Sequence, residues 1–136
     1  VSLPSVGRGS YATAINDSGD VAGYGEVRPG GGSMALLWRA PEWQLLPLRG
    51  GVGSEYNNLA QRARDVNNLG AVVGTGSRGA FVWSEGRLSL LENIVTDDDW
   101  MFSDALQIND AGQILAIGTR ASTGFAGLVL LTPPAQ

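Results

Sequence analysis

The densest group of chemistry-bearing side chains in this sequence is Asp97-Asp98-Asp99, followed at once by Trp100. Carboxylate oxygens are what a hard cation such as calcium takes as ligands. An acidic group beside an indole also suits a sugar, with the aromatic face for stacking. The alternating acidic spacing of a calcium loop is absent, and three consecutive side chains diverge in direction. A solvated acidic loop is therefore the plainer reading. A second group, Tyr56 and Asn57, lies in the stretch 55–61. Carboxylate-based hydrolysis would need Glu55, Asp65 and Asp97 to converge at about 5–10 Å. The ligand-binding candidates are thus Tyr56, Asn57, Asp97, Asp98, Asp99 and Trp100.

Other polar and aromatic groups recur at fixed places. Asn16, Asn67 and Asn109 each stand three residues before a glycine. They could form a row of ligand contacts, but Asn-x-x-Gly is turn chemistry, with Asn bonding its own backbone and Gly supplying a positive φ. Trp38 and Trp83 hold the same repeat position. They are sugar platforms or packing between sheets, and packing is the expectation. Gly23-Tyr24-Gly25 and Gly30-Gly31-Gly32 have neither the lysine nor the strand–loop–helix context of a phosphate loop.

Composition narrows the chemistry further. The chain has no cysteine and no histidine, and all nine of its basic residues are arginine. Thiol chemistry, the usual general base and the usual transition-metal ligand are missing, as is the Schiff-base lysine. No catalytic residue, cofactor or metal is assigned, and no enzyme activity is expected. The net charge of -4 argues against a nucleic-acid partner, which would meet a basic stripe. No apolar run approaches the ~20 residues that span a bilayer, so membrane insertion is not expected.

The elements that must hold these residues are written in one phrase, A-x-x-[IV]-N-[DN]-x-G-x-[VI]-x-[GA]-x-G. It stands at 12–25, 63–76 and 105–118. Each copy reads as strand, Asn-Gly turn, glycine-marked strand, followed by further short strands. The alternate glycines at 23 and 25 leave a bare face that another sheet can approach. Ala12, Ala14 and Ile15 suit a crowded inner strand. A period in the mid-forties with about four strands per unit signifies a propeller blade or a comparable threefold β-architecture. The fold class is all-β, with three four-stranded antiparallel repeat sheets, β-propeller-like, or else closed as a β-prism or β-trefoil. One domain, 1–136, holds repeats near 10–49, 61–91 and 103–131, with 1–6 completing the last sheet. Function is expected in the two connections that break the repeat, 50–62 and 92–102, because loops on rigid repeats carry binding.

The phrase I-N-x-x-G-x-V-x-G, followed by a strand ending A-[FL]-[VL]-W, resembles the bacterial extracellular HAF repeat. The matching stretches are 15–23 with 35–38, 66–74 with 80–83, and 108–116 with 125–131, and the ending Leu130-Leu131-Thr132-Pro133 resembles that family's terminal repeat. The third copy departs from it, with Ala116 at the motif glycine and Val129 at the tryptophan position. The resemblance implies a secreted or cell-surface protein with propeller-like repeats and no enzyme activity. Three repeats fall below the usual four to eight or so blades. A homo-oligomer in which two three-repeat chains make six sheets follows as the expectation, giving a self-assembling structural or interaction module. The alternative is a carbohydrate-binding, lectin-like module whose partner is a glycan or another surface protein. A carboxylate-based hydrolase comes third.

Overall fold

The computed structural model describes residues 2–4, 9–26, 32–48 and 60–133. Among them are eleven strands in three antiparallel sheets. Sheet 1 runs β1 (Ser10–Ile15), β2 (Val21–Glu26), β3 (Ser33–Arg39) and β4 (Gln44–Pro47) in sequence order. Sheet 2 repeats this with β5 (Arg62–Val66), β6 (Val72–Gly76), β7 (Gly79–Ser84) and β8 (Arg87–Leu90). One helical turn, α1 (Leu91–Ile94), follows. Sheet 3 has three described strands, β9 (Trp100–Ile108), β10 (Ile114–Arg120) and β11 (Phe125–Leu131), with β10 central. No sheet closes on itself, so the structure is a row of meanders. Leu3 and Pro4 lie against sheet 1, not beside β11: Leu3 packs on Val21, Leu36 and Trp38, and the Pro4 carbonyl accepts the Trp38 indole N–H at 2.7 Å.

The first hairpin of each sheet is built by its asparagine. Asn16 Oδ1 accepts the backbone N–H groups of Ser18 (3.1 Å) and Asp20 (2.9 Å). Asn67 does the same for Leu69 and Ala71, at 3.1 and 2.9 Å. Gly19, Gly70 and Gly112 close the three turns at φ 87°, 82° and 83°, a region that glycine enters without strain. The alternate glycines serve a different end from the sheet-to-sheet approach expected of them. A Cβ on Gly23 would collide with the Tyr11 carbonyl, and one on Gly74 with the Arg62 carbonyl. These are backbone atoms of the neighbouring strand in the same sheet, beside the irregularities that fall between Ala12 and Ala14 and between Ala63 and Asp65. In sheet 3 the register shifts twice, and Ala116 is accommodated fully buried. The tight approach between sheets occurs instead at Gly79, where a Cβ would strike the Phe102 carbonyl.

Pairing also corrects the third repeat. Trp38 pairs with Val21, Trp83 with Val72, and Leu131 with Ile114. Leu131, not Val129, therefore holds the tryptophan position. Sheet 1 packs on sheet 2 through Ala22, Ala35 and Leu37 against Val72, Phe81 and Trp83. Sheet 2 packs on sheet 3 through Val73 and Ala80 against Phe102, Ala105 and Ile114. Ile15 is not in a crowded interior but 68% exposed, because among the described residues no sheet packs on that side of sheet 1. The equivalent Val66 and Ile108 are buried.

The asparagines also tie the sheets together. Asn16 Nδ2 donates to the Asn67 carbonyl at 2.9 Å, and Asn67 Nδ2 donates to the Asn109 carbonyl at 3.0 Å. Asn109 Nδ2 turns instead to its own Gln113 Oε1. Asn67 is 5% exposed, whereas the side-chain bonds of Asn109 are exposed. Asn67→Ala leaves buried donors and a carbonyl unpaired and is expected to cost about 2–4 kcal/mol, against about 1 kcal/mol for Asn109→Ala, whose partners reach water. Urea unfolding followed by tryptophan fluorescence checks the ranking.

Candidate functional site

The acidic loop leads into β9, which begins at Trp100 and so includes a residue expected in the loop. Two of its aspartates, Asp97 and Asp99, are engaged with Arg120 and the β10–β11 turn that follows it. Asp99 Oδ2 accepts the Arg120 Nε–H at 3.0 Å and the Ser122 hydroxyl, while Oδ1 accepts the Ser122 backbone N–H at 2.9 Å. The Asp99 carbonyl accepts the Ala121 N–H at 3.0 Å. Asp97 Oδ1 caps the Asp99 N–H at 3.1 Å, and Asp97 Oδ2 lies 3.6 Å from Arg120. The Ser122 hydroxyl chiefly, then its backbone N–H and Arg120, hold the Asp99 carboxyl below its ordinary value. Asp98 is exposed at the tip of this turn. No group of three carboxylates able to hold a metal exists among the described residues.

Trp100 is likewise packed. Its ring stacks on Phe102 at 6.0 Å, meets Phe125 edge-on at 5.9 Å, and has the Arg120 guanidinium 5.7 Å from its centroid. Such contacts use the faces that would stack on a sugar. Tyr56, Asn57 and Glu55 lie outside the described residues. Asp65 bridges sheets, with Oδ1 accepting the Val66 N–H and Oδ2 the Ile108 N–H, both at 2.9 Å. Trp38 and Trp83 are packed, at 2% and 6% exposed. The structure therefore brings Asp97, Asp99 and Trp100 together around Arg120, as a clamp closing the end of sheet 3.

Two surfaces escaped the sequence reading. Tyr11 and Tyr24 stack at 5.1 Å, with Arg62 5.1 Å from the Tyr24 ring, beside a groove of about 260 Å³ that Glu26 and Ser33 also line. At the far end, sheet 3 turns an apolar face outward. Ile117, Leu128 and Leu130 are 37%, 62% and 60% exposed. The alternation of burial along β10, with Ile114, Ala116 and Gly118 covered and Ile117 and Thr119 open, places these side chains on the side away from sheet 2. Comparing the repeats position by position is the signal that finds this face, because apolar residues persist there although no described element covers them. Neither a family model, nor a curated protein, nor a solved structure matched this chain.

The Asp99 clamp predicts a pH response with a definite sign. A carboxyl held below its ordinary value supports its contacts above the free-carboxyl range near pH 3.9 and releases them as pH falls through the lowered value. A carbon-detected NMR titration should place the Asp99 midpoint below the ordinary carboxyl value, and Ser122→Ala should return it towards that value.

Proposed function

We propose that the protein is a non-catalytic structural and interaction module that assembles with copies of itself in a secreted or cell-surface setting. The observation that supports this most is the outward face of sheet 3. A contiguous apolar sheet face is what soluble chains ordinarily cover, and a symmetric partner is the commonest cover. The rigid framework supports it too, since Asp65 and Asp97, two of the three carboxylates that hydrolysis would need, are engaged in cross-links between elements. The resemblance to the HAF repeat supports the secreted setting and the propeller-like arrangement of the sheets, with six sheets from two copies. Sedimentation equilibrium across the micromolar range should show a monomer–dimer equilibrium that Leu130→Glu shifts to monomer. A monomer throughout rejects self-assembly.

A carbohydrate-binding, lectin-like reading is favoured by one feature, the exposed Tyr11 and its stacked neighbour Tyr24 beside a polar groove. A sugar ring stacks on such a surface while Arg62 and Glu26 take its hydroxyl groups. On this reading a glycan array gives binding that Tyr11→Ala lowers about two- to tenfold, the scale of one aromatic contact. An array without hits removes it.

A further inference from the structure

We propose that the outward face of sheet 3 receives sheet 1 of a second copy of this chain, head to tail, so that two copies close six sheets. This rests on the self-assembly reading and names the faces that meet.

The two end faces are the two halves of an interface that the chain already makes twice. In the strand register, Leu115 corresponds to Ala22 and Val73, Leu128 to Ala35 and Ala80, and Leu130 to Leu37 and Val82. Ala22, Ala35 and Leu37 are each 0% exposed under sheet 2, and Val73 and Ala80 are 0% and 2% exposed under sheet 3. Leu128 and Leu130, on which no sheet packs among the described residues, are 62% and 60% exposed. The converse holds at the other end. Val66 and Ile108 are 4% and 8% exposed beneath the sheet before them, and Ala63 and Ala105 are both 0% exposed. Their counterparts on β1 are Ile15, at 68%, and Ala12, also exposed. A groove of about 230 Å³ runs there between Leu3, Pro4, Ala12 and Trp38.

Leu3-Pro4 occupies the seat of a fourth strand for a sheet that precedes sheet 1. Leu46-Pro47 of β4 pairs with Leu37 and Leu36, and Leu46 packs into the cluster that holds Trp83 of the following sheet. Leu3 packs into the cluster that holds Trp38, the counterpart of Trp83. Sheet 3 has no fourth strand beyond β11 among the described residues. Sheet 1 of a second copy would therefore bring its own Leu3 and Pro4 alongside β11, opposite Leu130 and Val129.

The turns continue the same way. Backbone N–H groups of Asp17 and Asn68 donate forward to Asn68 Oδ1 (2.6 Å) and Asp110 Oδ1 (2.7 Å). The Asn68 amide bonds both flanking carboxylates, Asp17 at 3.0 Å and Asp110 at 2.7 Å. At the junction Asp110 of one copy meets Asp17 of the next with no amide between them. That rung carries like charges, so the junction is weaker than the internal ones and the assembly reversible. Face-to-face pairing of two third sheets would leave Ile15, Ala12 and the β11 edge uncovered.

The chain lacks cysteine, so engineered thiols report contacts cleanly. Leu3→Cys and Leu130→Cys chains, mixed and oxidised, should give mainly the mixed disulfide dimer. Asp17→Asn, which restores an amide to the junction, should tighten the dissociation constant at least about tenfold, with circular dichroism confirming the fold of each variant. If Leu130→Cys alone cross-links as readily and Asp17→Asn changes nothing, head-to-tail docking is overturned while self-assembly stands. If wild type and Asp17→Asn both remain monomeric, both readings fall.

Discussion

One hydrogen bond governs this fold, the donation from the turn asparagine of one sheet to the backbone carbonyl of the corresponding asparagine in the next. The same side chain already satisfies two N–H groups of its own hairpin through its oxygen. Both ends of the amide are thus committed, one to local structure and one to sheet order. A hydroxyl has too short a reach to serve both, and a carboxylate has no N–H to send forward. A single residue type therefore sets hairpin geometry and the spacing between sheets together.

Further forward links repeat this at other depths. Thr13 Oγ1 donates to the Ala63 carbonyl at 2.8 Å. Ser33 Oγ and Thr75 Oγ1 donate to the Gln61 and Ser103 carbonyls, each at 2.8 Å. Arg64 pairs with Asp104 at 3.0 Å. These links donate from each sheet to the one after it, while the Asn68 amide to Asp17 and the Ile108 N–H to Asp65 donate back. Stability in such a row is a sum of sheets and nearest-neighbour contacts. The middle sheet is covered on both faces, and the outer ones carry the exposed positions.

Much of this was legible in the residues. The Asn-x-x-Gly turns, the sheet count and the strand order within each repeat follow from local chemistry that acts within a few residues. The cross-sheet role of Asn67 and Asn68 was not legible, because a side chain that braces its own turn and one that also reaches a neighbour look identical in sequence. Gly23 was read as clearance for another sheet, yet the strand beside it crowds that position. The bulge responsible depends on pairing register, which no single strand reveals. Asp99 and Trp100 were legible as a group but not as a clamp, since their partners Arg120 and Ser122 lie two strands away. Ile15 shows the remaining difficulty. Its sequence context matches that of Val66 and Ile108, and only position in the row makes it exposed.

That last contrast shifts the expectation of where interaction resides. In a repeat built on a rigid scaffold, added loops are the natural place to look. Here the described acidic loop is consumed in holding β9 to the β10–β11 turn, through contacts that leave Asp99 and Trp100 little capacity for a ligand. Among the described residues the open positions belong to the repeat itself, ordinary apolar ones such as Ile15, Leu128 and Leu130 that no described sheet covers. The alternation Asp17, Asn68, Asp110 bears on how such an end behaves. An asparagine at all three turns would let the ladder extend without penalty, a recipe for unlimited stacking. Carboxylates at the two outer turns satisfy the internal rungs through the central amide and charge the ends alike. On the head-to-tail proposal, the same residues both hold the row together and set like charges at each junction between copies.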